Sequence, residues 1–187
     1  MKHKLNVQDN LSFSESVNLE IKRDLHKEYL ILAKELYKQS EPGKKTPYIG
    51  SQRKRLLIGS LIFIALALES FINDSGNRKL KKFNKLERLS FPTKWLIFPK
   101  LIKNINIDLK KGKGVLQSIK EIYDYRNFFA HYKPKFTNVN EKWERKYNNF
   151  NHKEIEKYYK NTIIAMKTIA KGFPKEYDWL VEYPENI

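Results

Sequence analysis

Apolar residues recur along this chain at three- and four-residue steps, the spacing of one face of an α-helix. Over residues 14–39 the stripe is Val17, Ile21, Leu25, Tyr29, Leu32 and Leu36, closed by a breaker-rich loop, E-P-G-K-K-T-P-Y-I-G. Ser51 is placed to cap a second helix that reaches about Asn73. Its stretch L-L-I-G-S-L-I-F-I-A-L-A-L-E-S-F-I, Leu56 to Ile72, is apolar nearly all round, as a helix at the centre of a bundle would be. A further helix covers residues 114–132, with Val115, Ile119, Ile122, Phe129 and Ala130 as its stripe. Tyr132-Lys133-Pro134 ends it, because a residue before proline disfavours helical geometry. A last long helix spans residues 152–171, with Ile155, Tyr159, Ile163, Met166 and Ile169 facing inward, and an aromatic tail from Tyr177 to Tyr183 is expected to pack back onto the bundle. No segment alternates with period two. The expected fold is all-α, one domain over residues 1–187, with an N-terminal helix and loop (1–50) and a C-terminal tail (175–187).

Composition fits that picture. Of 187 residues 41% are apolar and 13% aromatic, enough to bury a core. Seven Gly and seven Pro are too few for a loop-built or many-stranded protein. The absence of cysteine excludes a disulfide scaffold, a thiol nucleophile and a cysteine-ligated zinc site. Four histidines argue against an all-histidine metal site, so neither metal nor cofactor is expected. The N-terminal M-K-H-K-L-N-V has no apolar run behind its lysines, unlike a secretory signal. In the apolar helix only about thirteen residues precede Glu69, short of the ~20 that a membrane span needs. A core helix and a cytoplasmic location are therefore expected.

Charge changes the picture more. Lys and Arg number 37 and Asp and Glu 21, a balance of 37 − 21 = +16. Residues 74–114 alone hold 12 basic and 3 acidic residues, +9, against +4 before them and +3 after them. This basic insertion, between the second core helix and the helix at 114–132, carries a short apolar piece, P-T-K-W-L-I-F-P-K-L-I. It reads either as a solvated basic loop or as a surface that tracks phosphates, where each neutralised phosphate releases counterions. The overall charge suits a polyanionic partner, nucleic acid or an anionic membrane surface.

The chemistry concentrates on one helix. Arg126 stands four residues after Ile122 and three before Phe129, where the apolar stripe would continue. A charge there must be paired, or must line a cleft or an interface. Asn127 and His131 are four apart and share a face beside it. The segment R-N-F-F-A-H, Arg126 to His131, resembles the R-N-x-x-x-H form of the motif of HEPN domains, helical bundles found in toxins and phage-defence ribonucleases. The order around it is similar to that of one HEPN subfamily: A-L-A-L-E-S-F-I-N-D, then K-W-L-I-F-P-K-L-I, then a motif helix ending H-Y-K-P. The loose Arg-to-His spacing also occurs at Arg145 and His152, but without the adjacent asparagine and in an Asn-rich loop.

Metal-independent RNA cleavage uses the ribose 2′-hydroxyl as nucleophile and leaves a 2′,3′-cyclic phosphate. It needs a base for that hydroxyl, an acid for the leaving 5′-oxygen, and positive charge at the phosphorane. His131 suits proton transfer, since an imidazole titrates near ~6.5. Arg126 suits the phosphate, being permanently charged and able to bond two oxygens at once. Asn127 suits orienting the histidine or holding a phosphate oxygen. One histidine does not readily serve both proton transfers, and the resemblance implies a homodimer that sets two across one cleft, with the motif helices at the interface. Glu69 and Asn73, four apart at the end of the second helix, are expected to face this cleft, with Glu69 pairing Arg126 or orienting His131. Otherwise Glu69 is a helix-end carboxylate neutralised by a lysine. Tyr132, Lys133, Lys79, Lys81 and Lys82 are candidate RNA contacts by stacking and charge. His3, His26 and His152 lie in charged, solvated contexts and carry no assignment, and Trp95, Trp143 and Trp179 read as anchors. The leading expectation is a HEPN-type endoribonuclease, a toxin or defence effector restrained by a partner protein or RNA. A non-catalytic HEPN-like RNA-binding or regulatory dimer is the alternative.

Overall fold

The computed structural model describes residues 25–41, 51–102, 114–130, 146–173 and 175–187. Among these every regular element is helical, as the spacing predicts. Six α-helices run in order: α1 (25–40), α2 (Ser51–Lys79), α3 (Phe91–Leu101), α4 (Gly114–Ala130), α5 (146–149) and α6 (His152–Ala170). Two 3-10 turns, Phe83–Lys85 and Asp178–Leu180, complete them.

Helix α2 is the hub. It packs against α3, α4 and α6, and α4 packs in turn against α3 and α6. Leu61, Ile64, Ala67, Leu68, Phe71 and Ile72 of α2 are fully buried. At 29 residues α2 extends past the expected end at Asn73 to Lys79. The cause is local and tertiary together: Asp74 accepts from Arg78 Nε at 2.9 Å within the added turn, and Tyr177 Oη donates to Asp74 Oδ2 at 2.7 Å from the tail. By length and composition α2 could cross a membrane, but half of its most apolar window is buried inside this bundle.

The N-terminal helix turns differently from its apolar stripe. The buried line of α1 is His26, Leu30, Ala33, Tyr37 and Ser40, one residue around from the expected face. Leu25 and Leu32 are 37% and 38% exposed, and Tyr29 and Leu36 are half-buried. Small side chains decide this. Ser60 Oγ of α2 donates to the Ala33 carbonyl at 2.8 Å, a close approach that larger residues would prevent. The expected Val17 and Ile21 lie outside the described residues.

The basic segment is only half a solvated loop. Residues 74–79 belong to α2, and Phe83, Phe91, Trp95 and Phe98 are buried in the core. Trp95 Nε1 donates to the Leu68 carbonyl at 3.2 Å, which locks α3 onto α2. Most of the described charge stays outside: Lys79, Lys81, Lys82, Lys85 and Arg88 are exposed, whereas Lys94 is buried. An apolar stripe inside a basic stretch folds as an amphipathic helix, not as a loop.

Helix α6 matches expectation. Ile155, Tyr159, Ile163, Met166 and Ile169 are all fully buried. Asn151 caps it: its side chain accepts from Lys153 N at 2.9 Å, while Glu154 Oε2 accepts from Asn151 N at 3.1 Å. Replacing Asn151 by alanine removes the first of these bonds and is expected to cost about 1 kcal/mol, read from a urea melt. The aromatic tail packs back as expected, with Tyr177 and Leu180 buried.

Two histidines depart from the solvated contexts expected of them. His26 is fully buried, its ring 5.3–5.6 Å from those of Phe71, Trp179 and Tyr177. His152 is half-buried, with Nε2 at 3.0 Å from both the hydroxyl and the carbonyl oxygen of Ser40. Both sit where α1 closes on the bundle, so packing captures them despite their charged sequence neighbours. Trp95 is a core anchor and Trp179 is half-buried, while His3 and Trp143 lie outside the described residues.

Candidate functional site

The buried residues of α4 are Leu116, Ser118, Ile119 and Ile122, and they hold the helix against α2, α3 and α6. Continuing that face by one turn gives Arg126, half-buried at the margin of the core. Glu69 stands on the facing side of α2. Arg126 Nη2 lies 4.0 Å from Glu69 Oε2, with side chains 30% and 37% exposed. At that distance and exposure the pair contributes little to stability. Arg126 Nη1 also donates to Asn127 Oδ1 at 3.0 Å, so the asparagine fixes the guanidinium from its own helix. Arg126, Asn127 and Glu69 are thus brought together from residues far apart in the chain.

Asn73 lies one turn beyond Glu69, in mid-helix and not at a helix end. Together with Ser70, Glu69 and Asn73 line one side of an open groove of about 410 Å³. Leu25, Tyr29 and Leu66 form its apolar wall. The exposed face of α1 therefore borders the polar site. Neither the groove nor its wall follows from the spacing within any one helix.

From α3 comes a residue that sequence reasoning missed. Lys94 Nζ donates to Asn73 Oδ1 at 2.8 Å. The residue is 3% exposed, and burial pushes its pKa below the ordinary lysine range against the opposing pull of Glu69 and Glu87. A signal was present: Lys94 falls at the three- and four-residue steps of Phe91, Trp95 and Phe98, a charge on an apolar stripe just as at Arg126. Arg126, Lys94, Glu69, Asn73 and Asn127 thus supply two cations, one carboxylate and two carboxamides, and Asp74 and Asn77 add a second carboxylate and a third carboxamide along the groove.

His131, Tyr132 and Lys133 lie outside the described residues; Ala130, the last described residue of α4, immediately precedes them. Of the basic candidates, Lys81 and Lys82 are exposed in the turn after α2. Lys79 is exposed at the end of α2, and its Nζ sits 4.8 Å from the centre of the Phe173 ring. Among the described residues no group of three or more His, Asp or Glu is arranged to hold a metal ion. No family model, curated protein or solved structure matches the chain.

Proposed function

We propose that this protein is a metal-independent endoribonuclease of the HEPN type, acting as a toxin or phage-defence effector in the cytoplasm. One observation carries the reading: the Arg126-Asn127 pair of the R-N-x-x-x-H segment is held at the rim of the core, against Glu69 of another helix, and not spent in a tight ion pair. A guanidinium with a carboxylate only 4.0 Å away can exchange it for a phosphate, whose two oxygens match its planar fork. In this reading Arg126 neutralises the phosphorane, Asn127 orients Arg126 or holds a phosphate oxygen, and His131 transfers the proton. Glu69 and Asn73 line the approach. The exposed lysines at 79, 81 and 82 attract the RNA backbone, which makes binding fall with salt.

The active form in this proposal is a homodimer built through the motif helix, which supplies a second His131 for the other proton transfer. The apolar wall of Leu25, Tyr29 and Leu66 beside Glu69 favours a protein surface there over open water. A partner protein or RNA would restrain the activity in the cell.

Incubating the purified protein with mixed RNA in excess EDTA, and typing the product ends, tests the reading. Cleavage with 2′,3′-cyclic phosphate ends is expected. Salt-sensitive RNA binding with no cleavage would replace the enzyme by a binding module, and metal-dependent cleavage would remove the mechanism.

A further inference from the structure

Lys94 is buried on the inner face of α3 between Phe91 and Trp95, and a charge in such a place is costly unless a partner compensates it. Its Nζ lies 5.9 Å from the centre of the Phe83 ring and donates to Asn73 Oδ1. No carboxylate among the described residues comes within ion-pair distance of it; Glu69 and Glu87 act on it from further away. The asparagine amide is therefore its principal partner.

That bond has a consequence for the groove. An ammonium can only donate, and a carboxamide has a single oxygen with which to accept. With Oδ1 held by Lys94, the NH₂ of Asn73 must turn the other way. Asn73 is also a lining residue of the groove, beside Glu69, Ser70 and Asp74, the last of these paired with Arg78. We propose that Lys94 is a positioning residue: by holding the Asn73 oxygen, it presents the Asn73 amide hydrogens to the groove as donors for a phosphate oxygen. Without Lys94 the amide can rotate and offer its oxygen instead, which repels an anion. The inference rests on the ribonuclease reading only for the source of that phosphate, an RNA backbone; the donor itself suits any phosphate oxyanion.

The test follows the Asn73 side-chain amide by ¹⁵N NMR in the full chain, assigned by its loss in Asn73→Asp. Single-stranded RNA and inorganic pyrophosphate are titrated separately into wild type, Lys94→Met and Lys94→Arg. In wild type both probes are expected to shift the Asn73 signal. Lys94→Met matches the length without a donor, and is expected to keep the fold, lose the shift and weaken RNA binding about tenfold, the worth of one hydrogen bond to a charged group. Lys94→Arg, another obligate donor, is expected to restore most of the shift, which a merely structural role would not require. Equal shifts in wild type and Lys94→Met would overturn the proposal while leaving the ribonuclease reading intact. A response to pyrophosphate without one to RNA would uphold Lys94 and count against the ribonuclease. No response to either probe overturns the proposal, and RNA cleavage by the same sample then decides the ribonuclease separately. Should Lys94→Met fail to fold, Asn73→Asp decides: it keeps an oxygen for Lys94 but replaces the donor by a second acceptor, so unchanged RNA and pyrophosphate affinity would sink the idea.

Discussion

Replacing His131 by alanine is expected to lower RNA cleavage by about two to four orders of magnitude, the range a positioned proton-transfer group contributes. Arg126→Ala is expected to cost about 10²–10³, comparable to removing one preorganised donor from a developing oxyanion. Both follow from a division of labour, in which the imidazole moves protons and the guanidinium holds charge. Arg126→Lys should retain most of the Arg126→Ala loss, because a point charge cannot reproduce the planar two-oxygen contact. Stability should hardly change in the Arg126 variants. The side chain is 30% exposed and its contact with Glu69 is 4.0 Å, so its removal costs on the order of 1 kcal/mol or less. Initial rates in EDTA, set beside thermal melts of each variant, provide the check. Loss of rate with an unchanged melt supports the assignment. A melt that collapses with Arg126→Ala would make it a structural bridge, and full activity in His131→Ala would remove the histidine from the site.

Gly76→Ala is expected to destabilise the fold by about 1–3 kcal/mol, the range that overpacking a core costs. Helix propensity alone predicts the opposite, since alanine is favoured over glycine in a helix by about 1 kcal/mol. The sign is therefore diagnostic. Gly76 is buried in α2, and a Cβ there would stand 2.1 Å from Phe83 Cε2. Phe83 is itself 3% exposed and meets Phe98 edge-on, with ring centroids 6.3 Å apart, so it has little room to retreat. The missing side chain is what lets the basic turn after α2 fold back and insert its phenylalanine. A denaturant melt reads the effect directly. A more stable Gly76→Ala protein would mean that Phe83 does not pack there.

The Arg126 and Gly76 substitutions probe different kinds of information. The R-N-x-x-x-H spacing is local, and so is the reason to single out Arg126: a charge on an apolar stripe is visible in a dozen residues. Its encounter with Glu69 joins positions on two separate helices and depends on how α2 and α4 pack. Lys94 broke its stripe in the same way as Arg126, yet the residue that it would meet could not be read from α3. Gly76 carried no local signal, because its role depends on an aromatic ring that returns after a turn.

Periodicity was sufficient for the helical class and the inward face of α6, because each needs only regular spacing of apolar side chains, while the return of the tail follows from its aromatic content. It was insufficient for α1. There the leucines and Tyr29 mark one face, but Ser60 bonds the Ala33 carbonyl, and the helix settles one residue around. It also stopped α2 at Asn73, because the turn beyond is polar and is held by Arg78 and by Tyr177 from the far end of the chain. The basic segment was split by the same rule, its aromatic stripe entering the core while Lys79, Lys81, Lys82, Lys85 and Arg88 stayed in water and Lys94 alone of its described lysines was buried. Spacing along a helix records which side chains avoid water. Which neighbour each one meets, and so which carboxylate faces Arg126 and which amide meets Lys94, is set by the fit between surfaces that lie far apart in the chain.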